Sequence, residues 1–138
     1  MTVGLRTGSI VTEVGSSTFL HAFFSTVSKH LEPEGWGTRY PVLIKELYEG
    51  TLPPDRASEA LLEVKDIRQR LKTFKPSEVV WDIEDPKARP PWGDKISSTI
   101  TDLSNYFVTS TGRDFLAALE ECIQAAIDNK KPLTIESY

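Results

Sequence analysis

The sequence predicts an α+β fold, with a small sheet of three to four short strands covered by about four helices in one domain spanning residues 1–138. Three observations carry this. Apolar residues recur at helical spacing in three long stretches, around residues 19–31, 57–74 and 115–127, and alternate with polar ones in short stretches near both ends. A length of 138 residues with 39% hydrophobic residues suits one core.

Taken in order, Val3 and Leu5 alternate with Thr2, Gly4 and Arg6, which predicts a short opening strand followed by a Gly- and Thr-containing turn. Phe19, Leu20, Phe23, Phe24, Val27 and Leu31 then share one face of a helix, with Ser16 or Ser17 as its cap. Gly35-Trp36-Gly37 breaks that pattern, because glycine on both sides of one residue frees the backbone to turn. Pro41 suits the first position of a short helix carrying Val42, Leu43, Ile44, Leu47 and Tyr48, with Gly50 at its end. Pro53-Pro54-Asp55 opens a longer helix whose apolar face takes Ala57, Ala60, Leu61, Val64, Ile67, Leu71 and Phe74, with Glu63, Asp66 and Arg70 turned away. Pro76 ends it.

Glu78 to Ile83 places Val79, Trp81 and Ile83 on one side and Glu78, Val80 and Asp82 on the other, the pattern of a half-buried strand. Residues 84–101 hold three prolines and no periodicity, and irregular segments longer than roughly 12–15 residues are often functional. Tyr106, Phe107 and Val108 suit a short strand or turn. Thr109, Ser110 or Thr111 can cap a last helix burying Phe115, Leu116, Leu119, Cys122, Ile123, Ala126 and Ile127. Leu133 and Ile135 alternate with Thr134 and Glu136 in a final strand.

The net charge of −4 is uneven: residues 1–75 are near neutral, whereas residues 76–110 carry −3 and residues 111–138 carry −2. The one basic-rich stretch, Lys65 to Lys75, is interleaved with apolar residues and reads as a solvated helix face, so no nucleic-acid partner is expected. The longest unbroken apolar run, Phe115 to Leu119, is far short of the roughly 20 residues that span a bilayer, so no membrane partner is expected. The amino terminus lacks a basic region followed by an apolar one, which points to the cytoplasm. A solitary Cys122 leaves neither an internal disulfide nor a thiolate metal site.

Catalytic and cofactor chemistry find little support. His21 and His30 are nine positions apart, too far along a helix to share a metal, and read as ordinary boundary residues. Asp82, Glu84, Asp85 and Asp94 lack the spacing of a calcium loop. Thr109 to Asp114 offers a weak anion-binding corner that reads better as a plain helix cap, and Cys122 reads as an inert buried thiol. No cofactor, metal or catalytic residue is therefore assigned. The two glycine-flanked tryptophans, Trp36 and Trp92, can either plug the core or present an anchor to a partner.

Several segments together resemble the Immunity protein 70 family of bacterial polymorphic toxin systems. They are Thr2 to Ile10, Gly15-Ser16-Ser17, His21 to Thr26, Gly35-Trp36-Gly37, Glu46-Leu47-Tyr48, Val80 to Asp85, Pro90-Pro91-Trp92-Gly93, Asp102 to Thr109, and Gly112-Arg113-Asp114. The resemblance implies a small cytoplasmic antidote that binds and neutralises a cognate toxin domain as a stoichiometric protein inhibitor, and it brings no catalytic residues with it. The expected toxin-binding surface is acidic, with Asp82, Glu84, Asp85 and Asp94 facing a basic partner and Trp36 or Trp92 as apolar anchor. The rival classes are a small carboxylate- or metal-dependent hydrolase and a structural adaptor without a toxin partner. Oligomeric state is not readable from the sequence.

Overall fold

The computed structural model describes residues 2–93 and 95–137. The chain runs β1 (Thr2–Thr7), β2 (Ile10–Ser16), α1 (Ser17–Leu31), a π-helix (Val42–Tyr48), β3 (Thr51–Leu52), α2 (Ala57–Leu71), α3 (Phe115–Asn129) and β4 (Leu133–Ser137), with 3-10 turns at Pro54–Arg56 and Pro76–Glu78. The four strands pair antiparallel in the order β2-β1-β4-β3. The α+β arrangement is the one the sequence predicts.

One sheet face is buried and the other solvated. Leu5, Thr7, Leu52 and Leu133 are buried, and the Cys122 thiol of α3 lies 3.4 Å from the Thr12 hydroxyl of β2. On the opposite face Arg6 bonds Glu136 across the β1–β4 pair at 3.3 Å, and Val11 is 49% exposed. The sequence suggests only a turn where β2 lies. Val3 pairs Gly15 while Gly4 pairs Glu13, so Val14 is an extra residue in the ladder, fully buried, and this bulge erases the alternation that would reveal the strand.

α1 forms the centre of the core. Ser16 Oγ accepts the Phe19 N–H at 3.1 Å, the cap expected from sequence. Phe23 meets Phe24, Phe107 and Phe115 edge-to-face at centroid distances of 5.1, 5.3 and 4.8 Å, geometry that favours aromatic pairs beyond their buried area. α3 is capped by Asp114, whose carboxylate accepts the Ala117 N–H at 3.0 Å and pairs with Arg68 at 3.3 Å. The cap is thus not Thr109, Ser110 or Thr111, and the anion-binding corner is filled by the chain's own carboxylate. Tyr106 ends a turn and Val108 makes an isolated bridge with Asp114, so no strand forms at 106–108.

Two further expectations are corrected. Glu63 and Asp66 do not turn away from the fold. Glu63 accepts the Leu43 and Val42 N–H groups at 2.7 and 3.3 Å, and Asp66 accepts the Tyr40 hydroxyl at 2.7 Å, so α2 ties down the start of the π-helix. The segment from Glu78 to Ile83 is not a strand. Its backbone is held in part by side chains of α1 and not by a neighbouring strand, and residues 79–83 are all half-buried, so the alternation in sequence does not become an alternation in burial.

Candidate functional site

The polar residues of α1 hold the Glu78–Ile83 segment as a strap. His30 Nε2 lies 2.6 Å from the Glu78 carbonyl, while Thr26 Oγ1 accepts the Val80 N–H at 3.0 Å and donates to the Val80 carbonyl at 3.1 Å. Ser25 Oγ accepts the Ile83 N–H at 3.1 Å. Ser25 and Thr26 are fully buried, so these bonds are made where water cannot replace them. The strap sends two consecutive side chains to different places: Asp82 reaches His21, and Trp81 meets Trp92.

On the first face, His21 Nε2 lies 3.2 Å from Asp82 Oδ1 and its Nδ1 lies 2.8 Å from the Tyr48 hydroxyl. An ionised carboxylate only accepts, which assigns the proton to Nε2 and leaves Nδ1 to accept from Tyr48 in the neutral ring. Burial, then the Asp82 and Glu84 charges, push the Tyr48 phenol above its ordinary value. The hydroxyl is therefore held protonated, the opposite of what a nucleophilic tyrosine needs. Trp36 completes the face, with ring centroids 6.4 Å from His21 and 6.0 Å from Tyr48, and its indole N–H donates to Glu49 at 3.3 Å.

Trp36 is placed by a buried carboxylate. Glu32, 3% exposed at the end of α1, accepts the Gly37, Arg39 and Tyr40 N–H groups at 2.9, 3.0 and 3.0 Å. Gly37 adopts φ +75° over the Lys45 stem, where any Cβ would come within 2.9 Å of Lys45 Cγ. The loop therefore depends on both a glycine and an acid. The π-helix, a form often found at functional sites, then delivers Tyr48 to His21.

On the second face, Trp92 packs edge-to-face on Trp81 at 5.2 Å and donates its indole N–H to the Tyr106 hydroxyl at 2.9 Å. Burial pushes the Tyr106 phenol upward, against a smaller downward effect of that hydrogen bond. A groove of about 840 Å³, lined in part by Lys75, Val79, Arg89 and Ile96, runs beside Tyr106. A smaller apolar pocket of about 300 Å³ adjoins it, with Phe19, Trp92 and Ile100 in its wall and Ile96 and Tyr106 shared between the two.

The six residues singled out from sequence thus divide. Trp36 and Asp82 both contact His21 on the first face. Glu84 is exposed beside them, close enough for its charge to act on Tyr48. Asp85 is exposed and accepts the Lys87 N–H at 3.1 Å. Trp92 lies across the strap on the second face, and Asp94 lies outside the described residues. Trp36 is half-buried and packs against the core, whereas Trp92 is 37% exposed and plugs nothing. His21 and Tyr48 were missed, although the polar Ser25 and Thr26 inside an otherwise apolar run were a sign that α1 holds another segment.

Among the described residues, no three His, Cys, Asp or Glu side chains are grouped to hold a metal ion. No helix among them is long and apolar enough to cross a membrane. What the surface offers is two adjoining aromatic clusters, one with Glu49, Asp82 and Glu84 around it. No curated protein and no solved structure matches this chain. The family model described as Immunity protein 70 matches residues 5–135, and with that match running from β1 through both aromatic faces into β4, the chain belongs to the Immunity protein 70 family.

Proposed function

We propose that this immunity-family chain acts in the cytoplasm as a stoichiometric inhibitor in a bacterial polymorphic toxin system. Residues 1–138 act as one domain that binds a cognate toxin domain and needs no cofactor. The single observation supporting this reading is family membership across residues 5–135. The exposed carboxylates Glu84 and Asp85, which follow Asp82 in the chain, and the half-buried Trp36 fit the expected contact: an acidic rim speeds encounter with a basic surface, and a part-buried tryptophan supplies apolar area. Such an interface covers about 800 Å² per partner. Asp94, nine positions beyond Asp85, is the fourth carboxylate of the proposed contact.

The test is co-expression with the toxin domain encoded beside this chain, followed by size-exclusion chromatography of the purified pair. Rescue of growth and a one-to-one complex are expected. Continued killing despite soluble expression overturns the reading. Reversing charge at Glu84 and Asp85 should weaken the complex about tenfold at low salt, with the loss shrinking as salt screens it.

A further inference from the structure

We infer that the Trp36 face receives one arginine of the toxin, its guanidinium laid on the indole and bonded to the carboxylates around it. This inference rests on the inhibitor reading above and deepens it, replacing a general basic surface by one side chain of stated chemistry. The rings supply the geometry. Trp36 lies 6.4 Å from His21 and 6.0 Å from Tyr48 between ring centroids, and His21 lies 6.1 Å from Tyr48. Phe24 stacks on Tyr48 at 4.3 Å and 19°, whereas Trp36 is tilted 41° and 58° from its two neighbours. No ring therefore lies flat on the half-buried indole. Among the described residues the one cation seated over a ring is Arg39, 5.9 Å from the Tyr40 centroid, so Trp36 has none from its own chain.

The carboxylates around these rings keep acceptor capacity. Glu49 uses Oε2 on the Trp36 indole N–H, and Asp82 uses Oδ1 on His21 and the Glu84 N–H. Glu49 Oε1, Asp82 Oδ2 and both Glu84 oxygens make no hydrogen bond among the described residues. Nor is any of the three acids paired with a Lys or Arg there; Lys45, whose stem lies under Gly37, pairs with none of them. The residues outside the described set, Met1, Asp94 and Tyr138, add no cationic side chain. Two tyrosines display the contrast. At Tyr40, burial and then Asp66 push the phenol upward while Arg39 and Arg70 oppose; at Tyr48, burial and then Asp82, Glu84 and Glu49 push upward with no cation opposing. Arginine suits this combination better than lysine, because a planar, weakly hydrated guanidinium stacks on an aromatic face while its edge donates to carboxylates.

The experiment is a set of double-mutant cycles, read by calorimetry, between the full chain and the toxin domain encoded beside it. Trp36→Leu, Trp36→Phe and Glu84→Gln are crossed with alanine replacements of each surface arginine, lysine and large apolar residue of the toxin. Trp36→Leu should weaken binding about tenfold, and Trp36→Phe, which keeps a ring, about threefold. Glu84 is exposed, so Glu84→Gln leaves the fold intact; it should cost about threefold, with the loss greatest at low salt. One toxin arginine should couple to both positions, so that its combined loss with either falls about fivefold short of the product of the single losses. Losses that multiply for every toxin arginine, or coupling to a lysine or an apolar residue instead, overturn the inference and leave the inhibitor reading standing. No binding by wild type overturns the inhibitor reading and the arginine contact with it.

Discussion

The His21 face and the Tyr106 groove share one strap and differ in almost everything else. The first is acidic at its rim and built on hydrogen bonds between side chains, Asp82 to His21 to Tyr48, with Trp36 held at its edge. The second is lined by cations, is concave, and is organised by ring packing of Trp81, Trp92 and Tyr106. Val80 anchors the strap between them, so a ligand on one side is coupled to the other only as far as residues 80–82 can shift. The difference teaches how one short strap can serve two surroundings: the consecutive side chains of Trp81 and Asp82 part, one to Trp92 and the other to His21.

The strongest way to break this comparison is to remove the acid beneath Trp36. Glu32→Ala leaves the Gly37, Arg39 and Tyr40 N–H groups without their acceptor, and should cost about 3 kcal/mol in urea unfolding, since bonds to a buried charge are at the strong end of the range. The damage should be one-sided. In proton NMR the Trp36 indole resonance should shift and broaden, while the Trp92 indole, bonded to Tyr106, stays in place. Equal movement of both would show that the faces are a single unit.

Thr26→Val tests the opposite limb of the comparison. The substitution keeps the shape but removes the hydroxyl that satisfies both backbone groups of Val80, and about 2 kcal/mol of destabilisation is expected. Here both indoles should move, because Trp81 and Asp82 follow Val80. Amide exchange at Val80 and Ile83 should quicken together. A change confined to one face would mean that the strap is held elsewhere.

These side-chain tethers explain what could and could not be read from the sequence. The helices α1, α2 and α3 were legible because each buries a continuous apolar stripe, and β1 and β4 because their alternation survives. β2 was hidden by the Val14 bulge, and two-residue β3 is too short to carry a period. The Val79–Ile83 alternation misled because residue types alternate there while residues 79–83 are all half-buried, with a bend at Trp81 and side-chain tethers from α1 in place of a paired strand. At the site, tryptophans and carboxylates on loops were visible as residue types. Their division into two faces was not, because it depends on Thr26 and His21 meeting residues more than fifty positions away.

The smallest expected effect sharpens the comparison by pH. Asp66 lies behind the Trp36 loop, where burial would raise its pKa, but the bonds from Tyr40 and Arg70 outweigh it and hold the carboxyl below the ordinary value of 3.8. Asp102 lies behind the groove, in the turn that leads to Tyr106, and is likewise held down against burial by the hydroxyl and N–H of Ser104. In each case the unfolded chain binds more protons than the folded one as pH drops below 3.8, so the stabilisation is complete above that value and is lost as pH falls through the lower folded value. Asp66 is 41% exposed, and solvent screening limits its pairs to roughly 0.5 kcal/mol. Asp66→Asn and Asp102→Asn should therefore each flatten the acid limb of a stability profile slightly. Followed by the Trp36 indole, only the first should matter, and by the Trp92 indole only the second. If both variants alter both probes alike, acid opens the chain as a whole, and the independence of the two faces fails where it is most cheaply tested.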